Sequence, residues 1–382
     1  MRVLQVPFSY YPSPVGGTEV YVAALVRHLQ EHEIECVIAA PGDSSESCTW
    51  EGTEVYRFSV SEEPRLDTLY DEGDSGAAAQ FRKILATVKP DLVHFHALTS
   101  GASVLAIRAA KSFGIPVVLT YHTPGTTCLR DTMMKWGSSP CNGVMDSFLC
   151  TACTLHGKGM PKPVSLALAA LPAPALAWLG KRTGHGRVAT LLQLPALTRL
   201  RHKTTRTAFA LADAIVAVCN WVVAVLQENA VPEQKLSICR QGLPGNIPVF
   251  QLADSALLPQ GSFTEAQPLR LVFFGRLDAN KGLHVIIRAI RNKPSLPLVL
   301  DIYGIAQGEA GLRYRQELLI LASTDSRIRF CSPQASAAVP DRMRQYHLVV
   351  IPSQWQETGP LVVYEAYAAG VPVIGKYLRL AS

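Results

Sequence analysis

The fold is decided by the stretch HLVVIPSQWQETGPLVVYEAYAAGVPVIG, residues 347–375. Its apolar beginning, HLVVIPS, predicts a strand buried on both faces, because apolar residues follow one another without polar interruption. The next segment, PLVVYEAYAAG, predicts a helix with Pro360 at its first position and Gly370 at its C-terminal cap. A buried strand that leads through a short loop into a helix is the repeating unit of a parallel α/β sheet.

The same alternation of strand-like and helix-like segments runs along most of the chain. It begins with RVLQV and TEVYVAALVRHLQEH, and it resumes later with LRLVFFG and GLHVIIRAI. We therefore predict an α/β fold with two Rossmann-like domains, each a doubly wound parallel sheet. The predicted boundaries are residues 1–245 for the N-terminal domain, 246–267 for a linker rich in Pro, Gly and polar residues, and 268–382 for the C-terminal domain.

Length and composition agree with two globular domains. A chain of 382 residues exceeds what one hydrophobic core usually supports, and 48% hydrophobic with 17% charged residues is not the composition of a disordered protein. The first twenty residues contain only one apolar run of five residues, RVLQV, which is too short for a signal peptide or a membrane span. We expect a cytoplasmic protein.

Two carboxylates and a helix start are predicted at one edge of the second sheet. Glu357 lies in the loop after the strand and Glu365 in the second turn of the helix. Both can reach the carboxyl edge of the strands, where open α/β sheets bind ligands. The backbone N–H groups of Gly359, Leu361 and Val362 are predicted to bind an anion there. The alternative is that both carboxylates are ordinary solvated side chains.

Two cations are predicted at the same edge. The stretch FFGRLDANKG places Arg276 and Lys281 in the loop after the first strand of the same domain. Fixed cations beside a helix N-terminus suit a diphosphate, and carboxylates accept hydrogen bonds from hydroxyl groups. The predicted ligand is therefore a phosphorylated sugar.

The order of these motifs, GR-x4-KG followed by E-x7-E, resembles that of the family-4 glycosyltransferases of the GT-B fold. The resemblance extends to the first domain, where PSPVGGTEVYV is similar to the family's glycine loop with Gly16 and Gly17, and LTYHTPG to its histidine at a strand end, His122. It implies that Gly16 and Gly17 bind the donor, because glycine lets the backbone approach a ligand at a helix N-terminus. It implies two domains that face a cleft. It also implies transfer of a sugar, with retention, from a nucleotide-sugar donor to a polysaccharide, glycolipid or other cell-envelope acceptor.

The resemblance assigns roles to individual side chains. Arg276 and Lys281 would neutralise the departing nucleotide diphosphate. Glu357 would bind hydroxyl groups of the donor sugar, Glu365 the ribose, and His122 would lie near the reacting centre. Because the two cations supply the positive charge, no cofactor is expected for the chemistry.

A cysteine-rich and basic insertion, at about residues 124–206, interrupts the first domain. A C-x2-C pair with two further cysteines at loop spacing can hold a structural Zn²⁺, and an iron–sulfur cluster uses the same ligands. Packing as small unpaired hydrophobes is the alternative, and the other five cysteines are predicted to be core residues. The four candidate ligands are Cys128, Cys141, Cys150 and Cys153.

The charge of the insertion is strongly one-sided. Between Ser147 and Leu211 there is no Asp or Glu. Prolines in the neighbouring apolar segment KPVSLALAALPAPALAWLG argue against one spanning helix. We expect residues 158–206 to contact an anionic membrane surface at the inner face of the membrane, with a solvated face as the alternative. Nucleic acid is not an expected partner, because no recognition motif accompanies the charge. The nine cations are Lys158, Lys162, Lys181, Arg182, Arg187, Arg199, Arg201, Lys203 and Arg206.

The chain departs from the family pattern after GVPVIG, where it reads KYLRLAS. The family normally continues through a further β-α unit and a helix that returns to the first domain. The second domain is therefore expected to be incomplete. This leaves a second functional hypothesis, a catalytically inactive, truncated protein that binds a nucleotide or a membrane without turnover.

Overall fold

The computed structural model describes residues 1–12, 16–61, 68, 70–184, 186–243, 262–335 and 338–376. They form two compact units, residues 1–241 and the residues from 242 onward. Most of the predicted linker at 246–267 lies outside the described residues, so its boundaries stay predictions.

The first unit is built on one eight-stranded sheet. Its strands are β1 (Arg2–Val6), β2 (Glu35–Gly42), β3 (Ser47–Trp50), β4 (Thr53–Ser59), β5 (Leu92–Phe95), β6 (Val117–Tyr121), β9 (Ala214–Ala217) and β10 (Leu236–Ile238). The order is β10-β9-β6-β5-β1-β2-β4-β3, and only β3 runs antiparallel to its neighbour. The chain moves outward from β1 to β4 and returns to the other side of β1 at β5. The point where the winding reverses therefore lies between β1 and β5.

Helices cover both faces of this sheet. Successive residues of a strand point to opposite faces, and accordingly Val3 belongs to one hydrophobic cluster and Leu4 to the other. Asp74 starts the second helix by accepting a hydrogen bond from the backbone N–H of Ala77. The helices are α1 (Gly17–Glu31), α2 (Ser75–Val88), α3 (Val104–Ser112), α4 (Ser147–Gly157), α5 (Lys162–Ala170), α6 (Ala173–Arg182), α7 (Arg187–Leu211) and α8 (Asn220–Glu228).

The predicted insertion contains a small hairpin, β7 (Met134–Lys135) with β8 (Ser139–Pro140), and the helices α4 to α6 with most of α7. No single helix of the described chain is long and apolar enough to cross a membrane. The pair α5 and α6 reaches that length and composition only together, and the two helices are bent by 103° at their junction. Pro172 lies at this junction, where its missing N–H prevents a continuous helix.

The second unit is a five-stranded, wholly parallel sheet. Its strands are β11 (Leu269–Arg276), β12 (Leu298–Ile305), β13 (Ile328–Phe330), β14 (Leu348–Ile351) and β15 (Val373–Gly375). The order is β13-β12-β11-β14-β15, so the winding reverses between β11 and β14. Its helices are α9 (Leu283–Arg291), α10 (Gly308–Ala322), α11 (Val339–Met343) and α12 (Leu361–Ala368). Hydrophobic clusters lie on both faces of the sheet, as the apolar strand sequences predict.

Two details of the predicted strand–loop–helix segment need comment. The helix begins at Leu361, so Pro360 is the residue before its first position and not the first position itself. Gly370 follows the helix with a φ of 72°, which is the left-handed conformation that glycine adopts at helix ends. Residues 377–382, which bear on the prediction of an incomplete domain, lie outside the described residues.

Candidate functional site

Lys281 and Glu357 meet at the reversal point of the second sheet. Lys281 ends a short 3-10 turn after β11, and Glu357 lies in the loop after β14. The Lys281 Nζ donates to Glu357 Oε1 at 2.7 Å and lies 5.1 Å from the ring centroid of Trp355. The same carboxylate oxygen accepts from Ser353 Oγ and from Trp355 Nε1, both at 2.7 Å. The carboxylate is therefore held in one orientation beside a fixed cation.

The backbone holds these two loops against each other. Gly282 has a φ of 74°, and a Cβ at this position would lie 1.9 Å from the carbonyl oxygen of Pro352. The N–H of Gln354 donates to the carbonyl oxygen of Asn280 at 2.7 Å. Only glycine permits both the left-handed conformation and this approach. Gly282, the second glycine of the GR-x4-KG motif, is thus required by packing between the two loops.

The other predicted residues of this unit lie around the same edge. Arg276 is exposed at the end of β11 and makes no ion pair within the described part of the chain. Gly359 has a φ of 137°, and the chain enters α12 at Leu361 and Val362, whose N–H groups belong to the unpaired first turn of a helix. Glu365 lies within α12, and burial raises the pKa of its carboxyl above the ordinary value of 4.5.

In the first unit, His122 is one of three neighbouring histidines. His122 follows β6 directly, His96 follows β5, and His94 lies within β5. Nδ1 of His96 lies 3.1 Å from Nε2 of His122, and Nε2 of His96 lies 2.7 Å from Oε1 of Gln5. Nδ1 of His122 lies 3.3 Å from Nε2 of Gln241. These atoms form one chain of hydrogen bonds across the carboxyl ends of β1, β5 and β6.

Donor and acceptor chemistry fixes the direction of this chain. The amide oxygen of Gln5 only accepts, so Nε2 of His96 carries a proton, and a neutral His96 then accepts at Nδ1 from Nε2–H of His122. Nδ1 of His122 in turn accepts from Gln241. Burial lowers the pKa of His122 to about 3 and that of His94 to about 4, and it holds the pKa of His96 well below its ordinary value. His122 is therefore a neutral hydrogen-bonding group near neutral pH.

The glycine loop is partly described. Gly16 precedes α1 in an extended conformation, and Gly17 is the first residue of the helix. The N–H of Gly16 donates to Oε2 of the buried Glu19 at 2.8 Å, so this amide is already engaged by a carboxylate. Residues 13–15 of the loop lie outside the described residues. The role of Gly16 and Gly17 in donor binding stays a prediction.

The four clustered cysteines line one cavity of about 240 Å³ in the insertion: Cys128, Cys141, Cys150 and Cys153. Within the described residues, no three His, Cys, Asp or Glu side chains are close enough together to hold a metal ion. The predicted metal site is thus not closed in this conformation. Of the other cysteines, Cys48 and Cys239 are exposed, so the prediction that all five are core residues is wrong for these two.

Sequence reasoning missed several members of these networks. His94 and His96 stand two apart in DLVHFH, and the two-residue period of a strand places them on one face. This signal was available. Ser353 and Trp355 carried no such signal, because only the folded loop directs both side chains toward Glu357.

Comparisons with known proteins agree with this architecture. The model of Glycosyltransferase Family 4 matches residues 15–148, and the model of Glycosyl transferases group 1 matches residues 258–376. The chain belongs to the family-4 glycosyltransferases. The first match contains Gly16, Gly17 and the three neighbouring histidines, and the second contains both cations and both carboxylates of this family-4 glycosyltransferase.

Among curated proteins, D-inositol 3-phosphate glycosyltransferases from Rhodococcus erythropolis and Rhodococcus opacus are each 35% identical over 111 residues. That segment is 27% of this chain and only 25% and 24% of the length of those relatives. Among solved structures, Anabaena HepE in complex with UDP superimposes with a TM-score of 0.58 at 16% identity, over 100% of this chain and 82% of that one. Sucrose-phosphate synthase from Thermosynechococcus elongatus superimposes with a TM-score of 0.61 at 15% identity, over 99% of this chain and 82% of that one. These structures show that this family-4 glycosyltransferase has the GT-B fold.

Proposed function

We propose that this family-4 glycosyltransferase moves a sugar, with retention, from a nucleotide-sugar donor to a polysaccharide, glycolipid or other cell-envelope acceptor. The observation that carries the proposal is the Lys281–Glu357 pair at the reversal point of the second sheet. Ligands of open α/β sheets bind at this point. The curated relatives are named as glycosyltransferases, and the HepE structure contains UDP.

The geometry suits the departure of a diphosphate. Transfer of the sugar leaves negative charge on the nucleotide diphosphate, and a cation already in place stabilises that charge without reorganisation. Lys281 has three N–H donors, of which Glu357 takes one, so two remain to be directed at phosphate oxygens. Arg276 offers a planar guanidinium on the same edge.

Glu357 serves the sugar end of the donor in this proposal. Hydrogen bonds from Ser353 and Trp355 fix the orientation of its carboxylate, so it can accept hydroxyl groups of a hexose without first losing rotamer freedom. Glu365 would accept from the ribose. The neutral His122 would act near the reacting centre as a hydrogen-bonding group, since its low pKa keeps it from carrying positive charge.

The experiment compares donor hydrolysis by the wild-type chain and by Glu357→Gln. Nucleotide released from UDP-sugars is measured in an acceptor-independent assay after a thermal-shift screen has selected the donor. The amide keeps a hydrogen-bond acceptor but loses the charge, so we expect release to fall at least tenfold. Glu309→Gln, the same change on the exposed face of α10, is the matched control. Donor binding without release at any protein concentration would instead support the inactive, nucleotide-binding alternative.

The acceptor side of the proposal includes contact with an anionic membrane, at the cytoplasmic face, through residues 158–206. Large apolar side chains of α5, α6 and their junction are exposed, Trp178 by 57% and Val164 by 48%. They lie in a region with nine cations and no carboxylate. Exposed apolar groups flanked by cations are typical of helices that lie in a lipid interface.

Vesicle co-sedimentation tests this contact. Wild-type protein should bind vesicles that contain anionic lipid and dissociate from them in high salt. Trp178→Ser should weaken binding about tenfold, which is the order of the free energy gained by burying one aromatic side chain. Ile320→Ser, which changes a 75% exposed apolar residue of α10, is the control. Equal binding by both variants would contradict the proposed surface.

A further inference from the structure

A long loop of the insertion is organised around four thiols. Between the turn at Pro124–Thr126 and α4, the only regular elements are the two-residue strands β7 and β8. Asp131, Met133 and Trp136 of this loop all have positive φ, between 51° and 56°. Each such residue costs about 1–2 kcal/mol. The loop conformation therefore needs stabilisation from something other than its own backbone.

The four sulfur atoms share one environment. Cys150 and Cys153 lie one turn apart on α4 and so project from the same face. Cys128 and Cys141 come from the loop and line the same cavity. Within the described residues every cysteine is a free thiol. Cys128 and Cys141 also pack against the hydrophobic core of the first unit. Four free thiols around one cavity, two of them in a C-x2-C pair, have the chemistry of a thiolate donor set for a metal.

The sulfur of Cys153 accepts two hydrogen bonds, and as a thiol it also donates to the carbonyl oxygen of Met134 at 3.9 Å. Its Sγ accepts from the backbone N–H of Trp136 at 3.3 Å and from Nη1 of Arg130 at 3.5 Å. Hydrogen-bond donors directed at sulfur orient and stabilise thiolate ligands of metals. Arg130 and Lys135 both line the cavity and would partly offset the negative charge of a four-thiolate centre.

We propose that Cys128, Cys141, Cys150 and Cys153 bind one thiolate-ligated metal centre, either a Zn²⁺ ion or an iron–sulfur cluster. Binding replaces four S–H protons, which leave to solvent, by four metal–sulfur bonds. Because no three ligands are yet close enough to hold an ion within the described residues, the thiols rotate and the loop contracts around the metal. Four thiolates leave a Zn²⁺ no open position, so its role is to hold the loop against α4.

Metal analysis of the purified full chain tests the proposal. We expect about one Zn per chain without visible absorption, or roughly two or four Fe with matching sulfide and visible absorption. Either result supports the centre and identifies its chemistry. Cys150→Ser should lose the metal, whereas Cys48→Ser, which changes an exposed thiol of β3, should keep it. Circular dichroism establishes whether each variant is folded.

A second measurement does not depend on the variants. In the wild-type protein the four thiols should resist a thiol reagent until a mercurial displaces the metal, and limited proteolysis should then cut the loop between Cys128 and Cys150. Absence of metal together with immediate reaction of all four thiols in the native protein would overturn the proposal. Equal loss of metal in Cys48→Ser and Cys150→Ser would also overturn it.

Discussion

Replacing Lys281 by methionine should destabilise the second unit and weaken diphosphate binding. The ammonium and the Glu357 carboxylate are 20% and 17% exposed and 2.7 Å apart. Exposed pairs contribute at most about 1 kcal/mol, and breaking a fully buried pair costs about 3–5 kcal/mol. After Lys281→Met the carboxylate keeps two neutral donors. We therefore expect a loss of about 1.5–3 kcal/mol in the free energy of unfolding, the range for a charge-assisted hydrogen bond.

A double-mutant cycle separates the pair from the rest of the side chain. Lys281→Met, Glu357→Gln and the double variant are unfolded in urea and followed by circular dichroism. If the contact contributes as argued, the double variant is about 1–2 kcal/mol more stable than the sum of the single losses predicts. Additive losses would refute the coupling, and so would a change below about 0.5 kcal/mol in Lys281→Met.

Calorimetric titration with UDP and with uridine separates the contribution of the diphosphate to binding from that of the base and the ribose. Lys281→Met should weaken the affinity for UDP roughly 10- to 150-fold, corresponding to about 1.5–3 kcal/mol, and leave the affinity for uridine unchanged. Arg276→Ala is the informative control, because Arg276 is exposed. It should weaken UDP while changing stability by less than about 0.5 kcal/mol. Equal weakening of UDP and uridine would refute the diphosphate role.

Three further results are expected. Because the pKa of His122 is about 3 in the folded state and near 6.5 when unfolded, the stability it contributes is complete above pH 6.5 and falls by about 2 kcal/mol at pH 5. The pKa values of His94 and His96 are also lowered, so the share of His122 is the difference between wild type and His122→Asn in urea unfolding from pH 7 to 5, and an equal decline in both proteins would contradict the buried neutral state. Gly282→Ala should lower the free energy of unfolding by at least about 3 kcal/mol, because the new Cβ clashes with the backbone of Pro352. Gly114→Ala, at a similar positive φ but with no atom within 4 Å of the new Cβ, should lower it by only about 1–2 kcal/mol. Equal losses in thermal unfolding would contradict the role of loop packing. Glu365→Gln should stabilise the protein above pH 4.5, because the raised pKa of Glu365 makes wild-type stability fall as the pH rises above that value. The same variant should bind uridine more weakly, and an unchanged affinity for uridine would argue against the ribose contact.

The sequence predicted the elements and the edge on which the site lies, since these follow from local patterns. Arg276 ends β11, and Lys281 and Glu357 lie in the loops that follow β11 and β14. The carboxyl ends of parallel strands share one edge of the sheet. The contact between Lys281 and Glu357 could not be predicted in this way, because it depends on the order in which β11 and β14 pair. The same holds for His96 and His122, which meet through the pairing of β5 with β6.

The cysteines illustrate a different limit. Their spacing correctly indicated that they share one region, because a C-x2-C pair on a helix and a short loop restrict where the sulfur atoms can lie. Spacing does not determine how far apart the sulfur atoms are in the metal-free chain. That distance depends on rotamers and on loop packing, which no local pattern specifies.

The directed hydrogen-bond chain from Gln241 through His122 and His96 to Gln5 has an evolutionary consequence. Each histidine accepts on one side and donates on the other. A replacement that reverses the polarity at one end therefore leaves two donors or two acceptors facing each other inside the protein, unless both tautomers and the group at the other end reverse with it. Such a mismatch costs about 1–3 kcal/mol, and a compensating change elsewhere along the chain relieves it. These four positions, distant in the sequence, should therefore vary together among homologues, as a single inherited unit.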